Sequence, residues 1–295
     1  MAMKQTYYTS GWHYALLVSP IIFLIGLFFY VPVGLAFFWS FFLERPFGGG
    51  SEFIGFANYA RLLGDTTFWS ALHLSGIFML LAAGFGVAIA LILALAADRD
   101  LRLSGAARNI ILWPKAIAGA SIGVVFTFIF NPHLGLLAPL STLFPGVWNP
   151  RMDGTQAFLM LVVAQVWHGL PFNFIILLAG LQSLPDTLIK AAAVDGAGPW
   201  RRILDIQIPL ITPQLFLAFV LEFVGTLVDV FGLIDTMTQG GPGGSTTFLI
   251  YKIYKDGFVA YDLSGAATQT VLLMIFVIAM VLLQFRLEKR VRYER

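Results

Sequence analysis

Six long runs of apolar residues, separated by short polar segments, dominate the chain. About 18 or more apolar residues in a row are enough for an α-helix to cross the hydrocarbon core of a membrane. The pattern therefore predicts an all-α integral membrane protein with six transmembrane helices, at 14–42, 68–97, 110–130, 157–181, 215–234 and 266–285. We expect the first run to be retained as a span, because it is too long for the apolar region of a cleaved signal peptide.

The composition agrees with a membrane protein. Charged residues make up 12% of the chain, against about 25% in ordinary soluble domains. The net charge is only +2 and the basic residues are scattered, so nucleic acid is not expected as a partner. The chain contains no cysteine, which excludes disulfides, thiolate metal sites and cysteine nucleophiles.

The distribution of Lys and Arg predicts the orientation, because cytoplasmic loops carry an excess of these residues. With both termini in the cytoplasm, that side has twelve basic residues and the outer side has five. The twelve are Lys4, Arg99, Arg102, Arg108, Lys190, Arg201, Arg202, Arg286, Lys289, Arg290, Arg292 and Arg295, and the five are Arg45, Arg61, Arg151, Lys252 and Lys255. We expect Lys115, at the edge of the third span, to extend toward the lipid headgroups.

This orientation divides the chain into three parts in a bacterial inner membrane. A cytoplasmic N-terminal segment covers 1–13, a transmembrane domain covers 14–285, and a basic cytoplasmic tail covers 286–295.

The segment 182–213 is a polar, Gly- and Pro-rich cytoplasmic loop between the fourth and fifth spans. Ser183, followed by Pro185, is typical of a helix start. Gly196 permits a turn that a residue with a β-carbon resists. Pro199 suits the first turn of a second short helix. The loop is therefore predicted to contain two short helices.

The residue order in this loop resembles the signature of ATP-binding-cassette importer permeases, in which Glu-Ala-Ala precedes Asp-Gly-Ala and Ile-x-Leu-Pro. The matching residues are Ala191, Ala192, Asp195, Gly196, Ala197, Ile206 and Pro209. Lys190 departs from the pattern, because it reverses the charge of the usual Glu. Similar sequence at 240–242, 246–258 and 284–293 extends the likeness along nearly the whole chain. The chain is most similar to carbohydrate-type permeases, and among them to those of glycerol-3-phosphate importers.

The resemblance implies a permease subunit of an ATP-driven, binding-protein-dependent importer for a sugar, polyol or glycerol-phosphate-type solute. Its implied partners are a second homologous permease, two ATPase subunits, an extracytoplasmic solute-binding protein and the lipid bilayer. ATP and Mg would bind to the ATPase subunits, and no cofactor to this chain. The implied coupling surface for an ATPase subunit consists of Lys190, Ala191, Ala192, Asp195, Gly196, Ala197, Gly198 and Pro209. The glycine-rich run at 240–247 lacks the lysine of a phosphate-binding P-loop.

Polar residues inside the spans are candidates for the substrate pathway, since ionisable groups there are costly and usually face a cavity or a partner. Glu222, Thr226 and Asp229 share one helical face by their spacing. The resemblance implies that this face contacts substrate hydroxyls. Trp167 and Asn173 of the fourth span complete the predicted set. The alternatives are a polar contact with the second permease for the fifth span, and simple packing for Trp167.

Two other classes of function stay open on the sequence. An ion-coupled carrier would use Glu222 and Asp229 as ion sites, but it leaves the loop unexplained. An intramembrane enzyme would need a paired His motif, a metal-ligand cluster or a nucleophile–base signature, and the sequence has none. Two carboxylates on the pathway would also repel a phosphomonoester. Either the second permease supplies a compensating Arg or Lys, or the substrate is neutral or zwitterionic.

Overall fold

The computed structural model describes residues 11–45, 49–98, 109–144 and 146–291. The chain divides into two compact units. The first consists of Met1–Asp65 with Ile253–Ile275, and the second of Thr66–Lys252 with Phe276–Arg295.

The first unit begins with a long, interrupted helix. Helix α1 (Gly11–Ile25), a π-helical turn (Gly26–Tyr30) and helix α2 (Val31–Ser40) follow one another directly. Together they give the candidate membrane span Tyr14–Ser40, whose most apolar stretch of 18 residues contains no buried residue. Its surface is therefore left for lipid or for a partner.

A small β-hairpin follows, which the apolar pattern did not predict. Strand β1 (Phe42–Glu44) pairs antiparallel with strand β2 (Ser51–Phe53), and helix α3 (Ala57–Leu63) comes next. The Asn58 amide donates to the carbonyl oxygens of Ser40 and Phe42, at 3.0 and 2.9 Å. The first bond satisfies the carbonyl of Ser40, the last residue of α2, and the second joins Asn58 to β1. The first span therefore ends at Ser40, two residues before the predicted end.

The second unit contains most of the helices. In chain order they are α4 (Thr66–Ala97), α5 (Asn109–Ala116), α6 (Gly119–Ile129), α7 (Ala138–Leu143), α8 (Gly154–Gln182), α9 (Asp186–Val194), α10 (Pro199–Arg202), α11 (Ile208–Leu210) and α12 (Thr212–Met237). A π-helical turn, Ile203–Gln207, joins α10 to α11. Helices α13 (Leu249–Tyr254) and α14 (Leu263–Val291) complete the chain and are shared between the units.

Three long helices form the centre of the second unit, since α4 packs on α8 and α12 packs on α4, α6 and α8. Helix α8 starts at a side-chain cap, where the Asp153 carboxylate accepts the backbone N–H groups of Thr155 and Gln156 at 2.8 and 3.1 Å. Such a cap satisfies donors that the first helical turn would leave unpaired.

The third predicted span, 110–130, is not one continuous helix. Helices α5 and α6 meet at an angle of 108°. The last four residues of α5, Trp113–Ala116, form a 3₁₀ turn that includes Pro114. Ile117 and Ala118 are extended, so the helical hydrogen bonds stop there. The described residues contain five single-helix spans, and a sixth if the bent pair counts as one. This agrees with the predicted six-span, all-α membrane fold.

A close crossing joins α6 to α12, and small residues make it possible. A β-carbon added at Gly232 would lie 2.9 Å from the backbone nitrogen of Ala120. Small residues allow backbones to approach in this way inside membranes. Gly225 lies two turns earlier on α12, and a β-carbon there would meet nothing within 4 Å.

We therefore expect Gly232→Ala to lower the melting temperature of the purified protein, because the clash is with backbone and cannot be relieved by a rotamer change. Gly225→Ala is the matched control. It should be neutral or stabilising, since Ala is favoured over Gly in a helix by about 1 kcal/mol. Equal melting temperatures for the two variants would contradict the close crossing.

Candidate functional site

A cluster of four polar side chains lies between α8 and α12, and we call it the polar cluster. The Asn173 amide donates to Glu222 Oε2 at 3.1 Å, and the Thr226 hydroxyl donates to Glu222 Oε1 at 3.4 Å. The Gln165 amide donates to Thr226 Oγ1 at 3.5 Å. All four side chains are buried, with Glu222 6% exposed and Asn173 fully buried.

The polar cluster lies between two apolar clusters along the same helices. One contains Phe78, Leu161 and Leu233, and the other contains Phe174 and Leu177. A carboxylate in such a place is costly unless hydrogen bonds satisfy it. The Asn173 and Thr226 donors supply those bonds.

Glycines make room for the Glu222 carboxylate. A β-carbon at Gly169 of α8 would overlap both carboxylate oxygens. A β-carbon at Gly86 of α4 would lie 3.4 Å from the Asn173 amide nitrogen. Sequence reasoning missed both glycines. The sequence does contain a sign of their role, because each is a glycine inside an apolar span where no turn requires one.

A salt bridge at the surface of the same unit involves Asp229, the second acidic candidate. Lys115 Nζ lies 3.2 Å from Asp229 Oδ2, and the two side chains are 45% and 40% exposed. Lys115 thus has an acidic partner in the same unit, which the sequence pattern did not predict. The bend after α5 brings the start of α6 against Asp229, where a β-carbon at Gly119 would lie 3.5 Å from the Asp229 carbonyl oxygen.

The predicted pathway residues thus fall into two groups. Glu222, Thr226 and Asn173 are buried in the polar cluster. Asp229 and Trp167 keep accessible surface, with Trp167 37% exposed and packed edge-to-face against Phe126 at 5.5 Å. Glu222 and Thr226 are bonded to each other as their spacing predicts, whereas Asp229 pairs with Lys115. The role of all five in substrate passage stays a prediction.

The loop at 182–213 folds into two short helices, α9 and α10, around a left-handed glycine. Gly196 has φ of +85°, and its N–H donates to the Ala193 carbonyl at 3.2 Å. The Ala197 N–H donates to the Ala192 carbonyl at 2.9 Å. This pair of bonds is the Schellman motif, in which glycine ends a helix by adopting the left-handed conformation.

The start of α9 differs from the prediction. Ser183 does not cap it, because Ser183 ends α8 and donates its hydroxyl to the Gly180 carbonyl at 2.7 Å. Helix α9 begins at Asp186 after Pro185, without a side-chain cap. Pro199 starts α10, as its fixed φ predicts.

The surface of the loop is open. Lys190, Ala191, Asp195, Gly196 and Gly198 are exposed, and Ala192, Ala197 and Pro209 are partly exposed. Two large apolar side chains project among them, with Val194 88% and Trp200 75% exposed. The loop therefore presents apolar as well as polar groups at its surface.

No group of three or more His, Asp or Glu side chains within the described ranges could hold a metal ion. The candidate site consists of three features: a buried polar cluster, a half-exposed salt bridge and a solvent-facing two-helix loop.

Membrane-spanning helices with a two-helix loop between α8 and α12 fit the permease subunit of an importer, and the family comparison identifies this class. Residues 86–293 match the family described as binding-protein-dependent transport system inner membrane component, and the chain belongs to this family. It is therefore an inner-membrane permease subunit rather than an enzyme.

Among its relatives are sn-glycerol-3-phosphate transport system permease proteins. That of Pectobacterium atrosepticum is 40% identical over 295 residues, which is 100% of both chains. That of Agrobacterium fabrum is 41% identical over 279 residues, covering 94% of this chain and 95% of the relative.

A solved structure shows the same fold. The crystal structure of a bacterial ABC transporter involved in the import of the acidic polysaccharide alginate matches with a TM-score of 0.80, at 22% identity over 96% of both chains. The predicted family and class of function are thus confirmed. The ion-coupled carrier and the intramembrane enzyme are not supported.

We expect Gly169→Ala to destabilise the protein, because the new methyl group would overlap the Glu222 carboxylate. The double variant Gly169→Ala with Glu222→Ala should regain part of the lost melting temperature, since the second change removes the overlapping atoms. Gly84→Ala, where nothing lies within 4 Å, is the control on the neighbouring span. Additive losses in the double variant would contradict the contact.

Proposed function

We propose that the chain is one of two permease subunits in an ATP-driven importer of sn-glycerol-3-phosphate or a similar glycerol phosphate ester. Two ATPase subunits would supply ATP and Mg, and an extracytoplasmic binding protein would deliver the solute. The substrates named for the relatives support this choice, since the likeness extends over the full length of the chain.

The Lys115–Asp229 salt bridge is the structural observation that favours a phosphorylated substrate. Glu222 is buried and hydrogen-bonded, so its carboxylate does not face an incoming solute in this conformation. Asp229 is accessible, and Lys115 offsets its charge. The repulsion expected from two carboxylates is thereby largely removed. A phosphate group would compete with Asp229 for the Lys115 ammonium, because both are anions that accept its hydrogen bonds.

The coupling role is assigned to the 182–213 loop. Its exposed apolar side chains, Val194 and Trp200, suit burial against a protein. Lys190 pairs with Asp186 at 3.2 Å, but both side chains are largely exposed. Such a pair contributes only about 0.3–0.5 kcal/mol to a helix. The charge of Lys190 is therefore available to an ATPase partner rather than required by α9.

The orientation follows from the count of basic residues. The termini, with the segments 1–13 and 286–295, and the 182–213 loop would lie in the cytoplasm, and the transmembrane domain at 14–285 would span the inner membrane. The binding protein would dock on the opposite face.

Lys115→Gln should raise the KM for uptake of sn-glycerol-3-phosphate by about two- to fivefold, since exposed ion pairs are typically worth 0.2–1 kcal/mol. Asp229→Asn should lower the KM, because it releases Lys115. The measurement is uptake by vesicles that contain the complete transporter. Arg45→Gln, which removes an exposed arginine paired with Glu52, is the control. Unchanged KM values for both Lys115→Gln and Asp229→Asn would contradict the role of the pair.

Gly196→Ala should weaken coupling, because a β-carbon at φ of +85° strains the turn by about 1–2 kcal/mol. We expect less ATPase to co-purify and less uptake per ATP hydrolysed. Gly198→Ala is the matched control, since Gly198 has φ of −64° and open space for a β-carbon. Equal effects of the two changes would rule out the left-handed turn as the element that shapes the coupling surface.

A further inference from the structure

A second polar site lies near the start of α8 and the end of α12, whereas the polar cluster lies at the middle of both helices. A cavity of about 360 Å³ is lined by residues from the end of α6, the start of α8 and the end of α12. Ligand pockets in proteins run from about 300 to 1,000 Å³, so this cavity suits a small solute.

Topology places the cavity on the face opposite the 182–213 loop. Helix α8 runs from Gly154 to Gln182, where the loop begins, and α12 starts where the loop ends. The cavity is lined by Arg151, before α8, and by Gln239, after α12. It lies therefore on the side to which the binding protein would bring the solute.

The cavity has donors for an anion. Arg151 is exposed, and it has no ion-pair partner among the described residues. Asn131 Oδ1 accepts the N–H groups of His133 and Leu134, at 2.9 and 3.1 Å. The Asn131 amide N–H groups are thereby left to donate elsewhere. None of the described residues that line the cavity is acidic.

Acceptors for hydroxyl groups line the same cavity. The Thr127 hydroxyl donates to the Gly123 carbonyl at 2.8 Å, and the Thr236 hydroxyl donates to the Gly232 carbonyl at 2.7 Å. A hydroxyl has one donor and two acceptor positions. Both oxygens thus keep lone pairs that can accept from a solute, while their own hydrogens are engaged.

The segment that carries Arg151 is held in place by hydrogen bonds. The Trp148 indole N–H donates to the Phe130 carbonyl at 2.8 Å. The Gln156 side chain accepts the Asn149 N–H at 2.6 Å and donates to the Val147 carbonyl at 2.9 Å. The backbone that presents the guanidinium is therefore positioned before any solute arrives, which lowers the entropic cost of binding.

We propose that this cavity is an outer loading subsite for a phosphorylated polyol. Arg151 and the Asn131 amide would bind the phosphate, because a guanidinium matches phosphate oxygens in a bidentate fashion. The Thr127 and Thr236 oxygens would accept from the hydroxyl groups of the solute. The subsite would receive the solute from the binding protein before it moves toward the Lys115–Asp229 pair. This inference rests on the proposed function, from which it takes the solute.

The test uses the absence of native cysteine, which makes an introduced cysteine the only one in this chain. Met237 lines the cavity, and Met237→Cys would report its occupancy in the complete transporter. The rate of modification by an impermeant thiosulfonate reagent, added from outside without binding protein, is followed by mass spectrometry of this chain. Leu143→Cys, at an exposed position outside the cavity lining, is the control.

We expect sn-glycerol-3-phosphate or inorganic phosphate to slow modification of Met237→Cys about fivefold at about four times its dissociation constant. Glycerol should not slow it, and Arg151→Gln should abolish the protection. Leu143→Cys should show no protection. Protection that persists in Arg151→Gln would overturn the proposal. Slower modification of Met237→Cys that appears only when the binding protein is added would also overturn it, because a group of that protein would then occupy the cavity.

Uptake measured in the same vesicles separates the two proposals. If the vesicles take up sn-glycerol-3-phosphate but the solute does not slow modification of Met237→Cys, the subsite is overturned and the proposed function stands. If inorganic phosphate slows modification of Met237→Cys but the vesicles do not take up sn-glycerol-3-phosphate, the proposed substrate is overturned and the subsite is supported.

Discussion

The burial of one carboxylate constrains the centre of the membrane domain. Glu222 lies between two apolar clusters and is retained there by hydrogen bonds from Asn173 and Thr226. The space that it fills exists because α8 has a glycine at 169. The register of α8 against α12 is therefore set by a polar contact, since a shift of either helix would leave a buried carboxylate without its donors.

This contact lies between the two regions to which we assign functions. Helices α8 and α12 hold both ends of the 182–213 loop, and at the opposite face they border the cavity that contains Arg151. Under the proposed function, a displacement of the loop by an ATPase subunit would reach the outer face through these two helices. The Glu222 hydrogen bonds would keep the helices in register during such a displacement.

The sequence predicted the spans well, because long apolar runs are a direct consequence of bilayer thickness. It also predicted the turn at Gly196, where the left-handed backbone needs glycine. The bend after Ala116 was missed, since both halves of that span are apolar and only Pro114 and Gly119 interrupt them.

The pairing of Lys115 with Asp229 was missed for a related reason. It joins residues 114 positions apart and depends on that bend. Periodicity placed Glu222 and Thr226 together but could not show that Gly169 makes their position a buried one.

We infer that an ATPase subunit drives this permease through the 182–213 loop. A photo-cross-linking residue at Ala192, on the partly exposed surface of α9, tests it in the assembled transporter. We expect a covalent adduct with the ATPase subunit, identified by mass spectrometry. An adduct with the solute-binding protein, or no adduct with the ATPase in a transporter that retains full uptake, would contradict it.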